Sequence, residues 1–412
     1  MRRFLRSASL VTATLLLPIF CLMFYVQLLL PDGGIYFHME EMPFSVLANS
    51  AIDETVGAAT KSANISQVRL FGLFPIKGVS AQVKQRRYVI PGGQVFGLKL
   101  YAKGVVVVAV DGVASTEGKQ NPAAQADLRP GDLLLEIDGT PVTRNAQVSD
   151  AVVASGGKTL SLLIEREGAQ KTLTFIPAKS SDGSYKAGIW VRDSSAGIGT
   201  VTFTDPQTNM LAGLGHAICD VDSGAIIQIS SGEAMPAVVK GCYKGTSGKA
   251  GELCGVFSGA SFAGLLRNGD TGVYGKLYRS PDEEPMRLPV ALKQEVKTGK
   301  AQIIATVDGD DDSGGTARIY DAEIRKVYPN SGSSRKNMII QVTDPELIAL
   351  TGGIVQGMSG SPILQDGMLV GAVTHVFVNN PLQGYGIFAE TMLETSDELA
   401  AGEQAEVLAP AA

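Results

Sequence analysis

Histidine is scarce in this chain: its 412 residues include three, together with one Trp, four Cys and 6% aromatics. Chemistry that needs an imidazole base must therefore use His38, His216 or His375. Basic charge is not in excess either. The 35 Lys and Arg stand against 41 Asp and Glu, a net charge of -6, which leaves no electrostatic footprint for nucleic acid. Phosphate-loop and dinucleotide motifs are missing, and the spacing of Cys219, Cys242 and Cys254 does not match a zinc site, so no cofactor is expected. A disulfide plus one free thiol among those three is allowed outside the cytoplasm. What the chain has in quantity is glycine, 48 residues, well above the usual share of about 7%. With 45% hydrophobic and 18% charged residues it is too apolar for disorder. Many turns and few aromatics point to a mainly β protein, and the length to two or three domains.

Arg2, Arg3 and Arg6 precede an uncharged run from Ser7 to Leu30. Its 24 residues would make a helix of about 36 Å, enough for a hydrocarbon core of about 30 Å. Residues 1–30 are therefore expected to be a basic cytoplasmic stub and a transmembrane anchor, with the rest of the chain exported. A cleaved signal peptide fits less well. The apolar region exceeds the usual length of roughly 7–15 residues, and the nearest small-residue site, Ala48-Asn49-Ser50, lies far beyond it. Cys21 reads as one more apolar residue of this segment.

Residues 31–87 contain a strand-like Gln67–Phe71, a turn-forming Phe74-Pro75 and an alternating Val79–Val83, without chemistry. Residues 88–178 are more regular: a Val-rich strand at Gly104–Val110, a short helix at Ala123–Leu128, a strand at Leu133–Ile137, a helix at Asn145–Ser155 and a final hairpin around Glu167-Gly168-Ala169. The run from Ala126 to Gly139, ADLRPGDLLLEIDG, resembles that of bacterial PDZ domains. The resemblance implies peptide binding by β-augmentation, with a strand added beside Leu98–Tyr101 and the amides of Val95, Phe96, Gly97 and Leu98 receiving a terminal carboxylate. Short apolar runs in residues 186–393, at Ile198–Phe203, Gly224–Ile229, Gly272–Leu277, Ala301–Val307, Met338–Val342 and Leu369–Val378, suggest a sandwich or barrel. An acidic, Ala-rich tail, 394–412, should form one helix and fray.

The densest constellation is Gly357-Met358-Ser359-Gly360-Ser361-Pro362. A nucleophilic serine needs a tight turn on which backbone N–H groups can face an oxyanion, and flanking glycines permit one. Ser359 is the candidate nucleophile, with the amides of Gly357 and Ser359 as the oxyanion hole. A plain Gly/Ser turn is the competing reading. Of the histidines, His38 lies in a polar stretch close to the apolar run, His375 alternates within a strand, and His216 follows Gly213-Leu214-Gly215, where a side chain can project into a cleft. Ser359 with His216 is the stronger pair.

Glycine-rich serine, strand, turn and strand resemble the nucleophile region of chymotrypsin-like peptidases. More closely, residues 70 to 390 resemble the sporulation stage IV B serine peptidase family, in the features Leu73–Lys77, Ile90–Gly93, the PDZ-like module, Gly213–His216 and Gly352–Pro362. That resemblance implies a PDZ domain followed by a double β-barrel peptidase domain, with His216 as base, Ser359 as nucleophile and Asp344 as the acid. Asp344, fifteen residues before the serine, also reads as a helix N-cap ahead of Pro345, and Asp270, Asp220 and Asp222 are rivals for the acid. The resemblance further implies self-cleavage, then a limited cut in a membrane-bound regulator of an intramembrane metalloprotease, in the space between forespore and mother-cell membranes. The alternative is a PDZ-based adaptor with an inactive peptidase-like domain.

Overall fold

The computed structural model of the chain divides into two units, Met1–Arg87 and Tyr88–Ala412. It describes Gln85 to Leu408 except 117, 222–223, 281–284, 310–314 and 330–335; before Gln85 it describes four short strands and positions 17, 21, 24 and 25. The remainder of the expected membrane span and His38 lie outside the described residues, among which no helix is long and apolar enough to cross a membrane. In the first unit Gly33–Tyr36 pairs in parallel with Ser80–Val83, and Val68–Leu70 pairs antiparallel with Phe74–Lys77. Phe74-Pro75, expected to turn, is thus in a strand. Pro75 sits opposite Arg69 beside a register shift, where its missing N–H is tolerated.

The second unit opens with β1 (Tyr88–Pro91) and the long β2 (Val95–Val110). β3 (Leu133–Ile137), α1 (Asn145–Ala154), β4 (Leu160–Arg166) and β5 (Ala169–Phe175) follow, and then a second long strand, β6 (Ile189–Asp205). The far half of β2 pairs with β3 and with the first residues of β6, and β3 continues through β4 to β5. Helix α1 covers this small sheet. Its apolar positions Val148 and Val152 are buried with Val105, Leu134, Ile137 and Ile164. The Gln147 side chain accepts from the amides of Thr143 and Arg144 at the helix start, and Gly156 and Gly157, both at positive φ, turn the chain away after it.

The near half of β2 belongs to a different body. It pairs with β6 on one edge, Leu98 opposite Gly197, and on the other with a later strand, Leu98 opposite Ala234. After β6 come β7 (Met210–Gly213), β8 (Ile229–Tyr243), β9 (Glu252–Phe257), β10 (Ala263–Gly269) and β11 (Gly272–Leu277). Hydrogen bonding runs β2, β8, β10, β11, β7, β6, and the ring closes because β6 also pairs with β2. Phe96, Leu98, Leu100, Leu211 and Leu265 fill it. A second closed barrel follows, from β12 (Gly299–Ala305), β13 (Arg318–Val327), β14 (Met338–Val342), then, after α2 (Pro345–Thr351), β15 (Pro362–Gln365), β16 (Met368–Phe377) and β17 (Asn380–Phe388). The terminal helix α3 (Ala389–Leu408) begins five residues before the expected tail, and buries Met392 and Leu393.

Three further expectations are not met. Val95, Phe96, Gly97 and Leu98 are not a peptide-binding edge: neighbouring strands occupy both sides of this segment, and Phe96 and Leu98 are each 1% exposed. Nor does the small domain span 88–178 ahead of a separate 186–393. β1 already pairs with the end of β6 and the near half of β2 is a barrel strand, so the PDZ-type sheet is inserted into the first barrel, sharing β2 and β6 with it. Gly224–Ile229, expected as a strand, is mostly irregular, and β8 begins only at its last residue.

Candidate active site

Past α2 the chain turns at Gly352 and Gly353, both at positive φ, and runs through buried Ile354 and Val355 to the serine loop. Gly357 and Gly360 lie at φ of +96° and +97°, which an L side chain resists. A Cβ on Gly360 would collide with the Thr200 carbonyl oxygen of β6. That close approach lets β6 clamp the loop. The Thr200 amide donates to the Ser359 carbonyl at 3.0 Å, Thr200 Oγ1 to the Gly357 carbonyl at 2.8 Å, and Thr202 Oγ1 to the Gly360 carbonyl at 2.8 Å. The first barrel therefore holds a loop that belongs to the second. Ser359 Oγ itself donates to the carbonyl of Thr374 on β16 at 2.8 Å. The amides of Met358, Gly360 and Ser361 are taken by Val355, Val373 and Met358 carbonyls. Those of Gly357 and Ser359 have no backbone acceptor among the described residues, as an oxyanion hole requires.

His216 is delivered by a tight turn at the end of β7. Leu214 and Gly215 both take left-handed φ, +65° and +69°, and the Gly215 amide returns to the Gly213 carbonyl at 2.8 Å. A Cβ on Gly215 would press on Thr374 Cγ2 at 3.0 Å, so the turn packs on the strand that receives the serine hydroxyl. His216 Nδ1 lies 2.8 Å from the carbonyl oxygen of Ala217. A carbonyl only accepts, which assigns the proton to Nδ1 and leaves Nε2 as the basic nitrogen. The His216 ring packs on that of His375, with centroids 4.7 Å apart and planes at 40°. Beyond it, Asn268 of β10 clamps the segment: Oδ1 accepts from the Ile218 amide at 2.8 Å, and Nδ2 donates to the Ile218 and Ile227 carbonyls at 2.8 and 3.0 Å. Asp220, 3% exposed, pairs with Arg192 of β6 at 2.6 Å.

The carboxylate of Asp344, the expected acid, is bound by main-chain amides. Asp344 is the N-cap of α2: Oδ1 accepts from the amides of Glu346 and Leu347 at 2.9 and 3.0 Å, and Oδ2 from that of Asp321 at 3.2 Å. Burial disfavours its charge, but the three backbone donors outweigh that and hold the carboxyl below the usual aspartate range. Of the rivals, Asp270 is exposed in the turn between β10 and β11, Asp220 is the buried partner of Arg192, and Asp222 lies outside the described residues. Cys219, Cys242 and Cys254 are free thiols. Cys242 stands opposite Leu253 and Cys254 opposite Gly241, so alternation sends these two side chains to opposite faces of the β8–β9 ladder. Thr200, Asn268 and Thr374 carried no signal in the sequence, because their roles depend on main-chain groups far away along the chain.

The PDZ-type sheet has a groove elsewhere than expected. Val148 and Val152 of α1 face Ile189, Trp190 and Val191 of β6 across a cavity of about 500 Å³. This stretch of β6 pairs with β2 on one edge, and no strand pairs with its other edge among the described residues.

Residues 183–393, a little over half of the chain, match the family described as SpoIVB peptidase S55, and residues 113–166 match a PDZ domain. Among curated proteins, a putative zinc metalloprotease, LL2128, of Lactococcus lactis is 34% identical over 89 residues, 22% of this chain and 20% of that protein. The regulator of sigma-E protease RseP of Escherichia coli is 40% identical over 65 residues, 16% of this chain and 14% of that one. The chain thus spans a fifth or less of the length of these relatives. Among solved structures, the Rv3671c protease of M. tuberculosis is similar at 14% identity, covering 49% of this chain and 73% of that one, with a TM-score of 0.29. The chain belongs to the SpoIVB peptidase S55 family and carries a PDZ domain.

Proposed function

We propose that Ser359 is the nucleophile and His216 the base of an endopeptidase that cuts its own chain and then makes a limited cut in a membrane-bound regulator of an intramembrane metalloprotease. The observation that carries the catalytic part is the convergence on Thr374. The serine hydroxyl donates to its carbonyl, and the turn that delivers His216 packs on its side chain. In the reaction the Ser359 hydroxyl leaves the Thr374 carbonyl, gives its proton to His216 Nε2, and Oγ bonds to the scissile carbonyl carbon. The amides of Gly357 and Ser359 stabilise the oxyanion. His216 then passes that proton to the departing amine as the C–N bond breaks. A water attacks the acyl-enzyme, losing one proton to His216, and Ser359 regains it. The Ala217 carbonyl accepts from Nδ1–H and so fixes the tautomer that leaves Nε2 basic.

The groove between α1 and β6 suits an extended peptide that adds a strand to the open edge of Ile189–Val191. The chain to be cut would be presented there. The expected N-terminal anchor would hold the site at the exported face of a membrane, by family resemblance in the space between forespore and mother-cell membranes.

Expression of the full chain beside Ser359→Ala tests the reading. The unmodified protein should shorten itself and the variant should not, since loss of a nucleophile lowers turnover by several orders of magnitude. Equal cleavage in both would overturn it.

A further inference from the structure

We propose that His375 is a positioning residue for the His216 base, its ring packed on the His216 ring and holding it in the rotamer that meets the Ala217 carbonyl. This rests on the assignment of His216 as base. Three observations support it. The rings lie with centroids 4.7 Å apart, in the range where aromatic faces attract. The His216 side chain has its Nδ1 on the Ala217 carbonyl at 2.8 Å, a bond in the ring plane that fixes one edge and exerts no hold on the face that His375 covers.

The third observation is how β16 aims His375. Val373 pairs with Gly386 of β17, and Val376 with Gly384, so two residues of β16, Thr374 and His375, oppose one of β17. An extra residue of this kind is a β-bulge, which redirects side chains and commonly stands beside active sites. Gly384 makes the bulge possible: a Cβ there would crowd the His375 carbonyl oxygen at 2.5 Å. The bulge has two products at once. The Thr374 carbonyl reaches the Ser359 hydroxyl, and the His375 ring reaches His216. One irregularity of one strand therefore sets both members of the proposed pair. Alternation alone, unbroken, would carry His375 on the same face as the core residue Val373.

Diisopropyl fluorophosphate is a suitable probe, because it reports the base without requiring a known substrate. Serine Oγ bonds to phosphorus, fluoride leaves, and the base takes the hydroxyl proton. The full chain in detergent would be compared with His375→Ala, His375→Leu, which fills the position without a ring, and His375→Phe, which keeps one. The expected result is a maximal labelling rate lowered about tenfold or more in the Ala and Leu variants, with the half-saturating reagent concentration within about twofold, and restoration by Phe to within about threefold. Labelling of His375→Ala at the unmodified rate would overturn the proposal. So would a Phe variant as slow as the Leu variant, or an effect confined to reagent affinity, which would make His375 a substrate-pocket residue. Failure of the unmodified chain to label at Ser359 would instead overturn the assignment of the catalytic pair. Where the Ala variant does not fold, Leu against Phe decides.

Discussion

The hydroxyl of Ser359 donates to the main-chain carbonyl of Thr374 at 2.8 Å. An amide carbonyl cannot carry a transferred proton, so this bond defines a resting arrangement and the hydroxyl must turn to His216 before it attacks. A single neutral hydrogen bond contributes about 1 kcal/mol, which is small beside a catalytic barrier. Rotation of one side chain therefore separates rest from reaction, provided that the loop itself does not move. Three bonds from Thr200 and Thr202 hold that loop in place.

Thr200→Val removes one of them, the bond from Thr200 Oγ1 to the Gly357 carbonyl, while keeping the branched shape a strand favours. Gly357 also supplies one of the two amides proposed to bind the oxyanion, so releasing its carbonyl, which lies on the adjoining peptide, should loosen that amide as well. The expected outcome is a stability loss of about 1 kcal/mol by urea unfolding and a fall in self-cleavage rate of about tenfold. A stability loss without any effect on rate would separate the clamp from the chemistry.

Asn268→Ala tests the same idea on the histidine side. The amide of Asn268 makes three bonds to Ile218 and Ile227, which lie in irregular backbone with few strand partners of its own. Removing it takes the partner from the Ile218 amide and the Ile227 carbonyl, while the Ile218 carbonyl keeps only the longer bond from the Ile227 amide at 3.2 Å. The variant should lose about 2 kcal/mol of stability. Hydrogen exchange should rise most at residues 216–227, and the cleavage rate should fall with it. Exchange that rises uniformly, with no local maximum there, would contradict the clamp.

Part of this architecture was legible in the sequence for local reasons. Glycines flanking Ser359, and Gly215 before His216, mark left-handed turns that only their own neighbourhoods determine. Val148 and Val152 recur at helical spacing, and α1 is found where they predict it. The failures have a common cause, which is that β partners are distant in sequence. Val95–Leu98 carries the composition of either a binding edge or a buried strand, and only the pairing with Gly197 and Ala234 decides between them. The insertion of one domain into another's barrel is invisible for the same reason: β2 and β6 each run from the PDZ-type strands into the barrel without any break in composition. Asp344 was ambiguous because a capping aspartate and a triad aspartate share the residue type, and Pro345 was the local signal that pointed to the cap.

That cap has a measurable signature of its own. Asp344 sits at the start of α2 with both carboxylate oxygens on backbone amides, and its folded-state pKa lies below that of an unfolded aspartate, about 3.9. A carboxyl depressed in the folded state stabilises the protein fully above the unfolded value, and that contribution is lost as pH falls through the lower, folded value. Asp344→Ala should therefore cost about 1 kcal/mol at neutral pH, and the gap from the unmodified protein should shrink below about pH 4. Asp344→Asn, which still accepts from the amides, should recover much of the loss at neutral pH but show less of the acid dependence. Urea unfolding at pH 7 and pH 3 measures both. Self-cleavage should survive in each variant at close to the unmodified rate once corrected for the folded fraction, since no bond joins Asp344 to His216 in the structure. A fall of a thousandfold or more in the Asn variant, with stability intact, would return Asp344 to the catalytic triad and displace the Ala217 carbonyl from the role assigned to it.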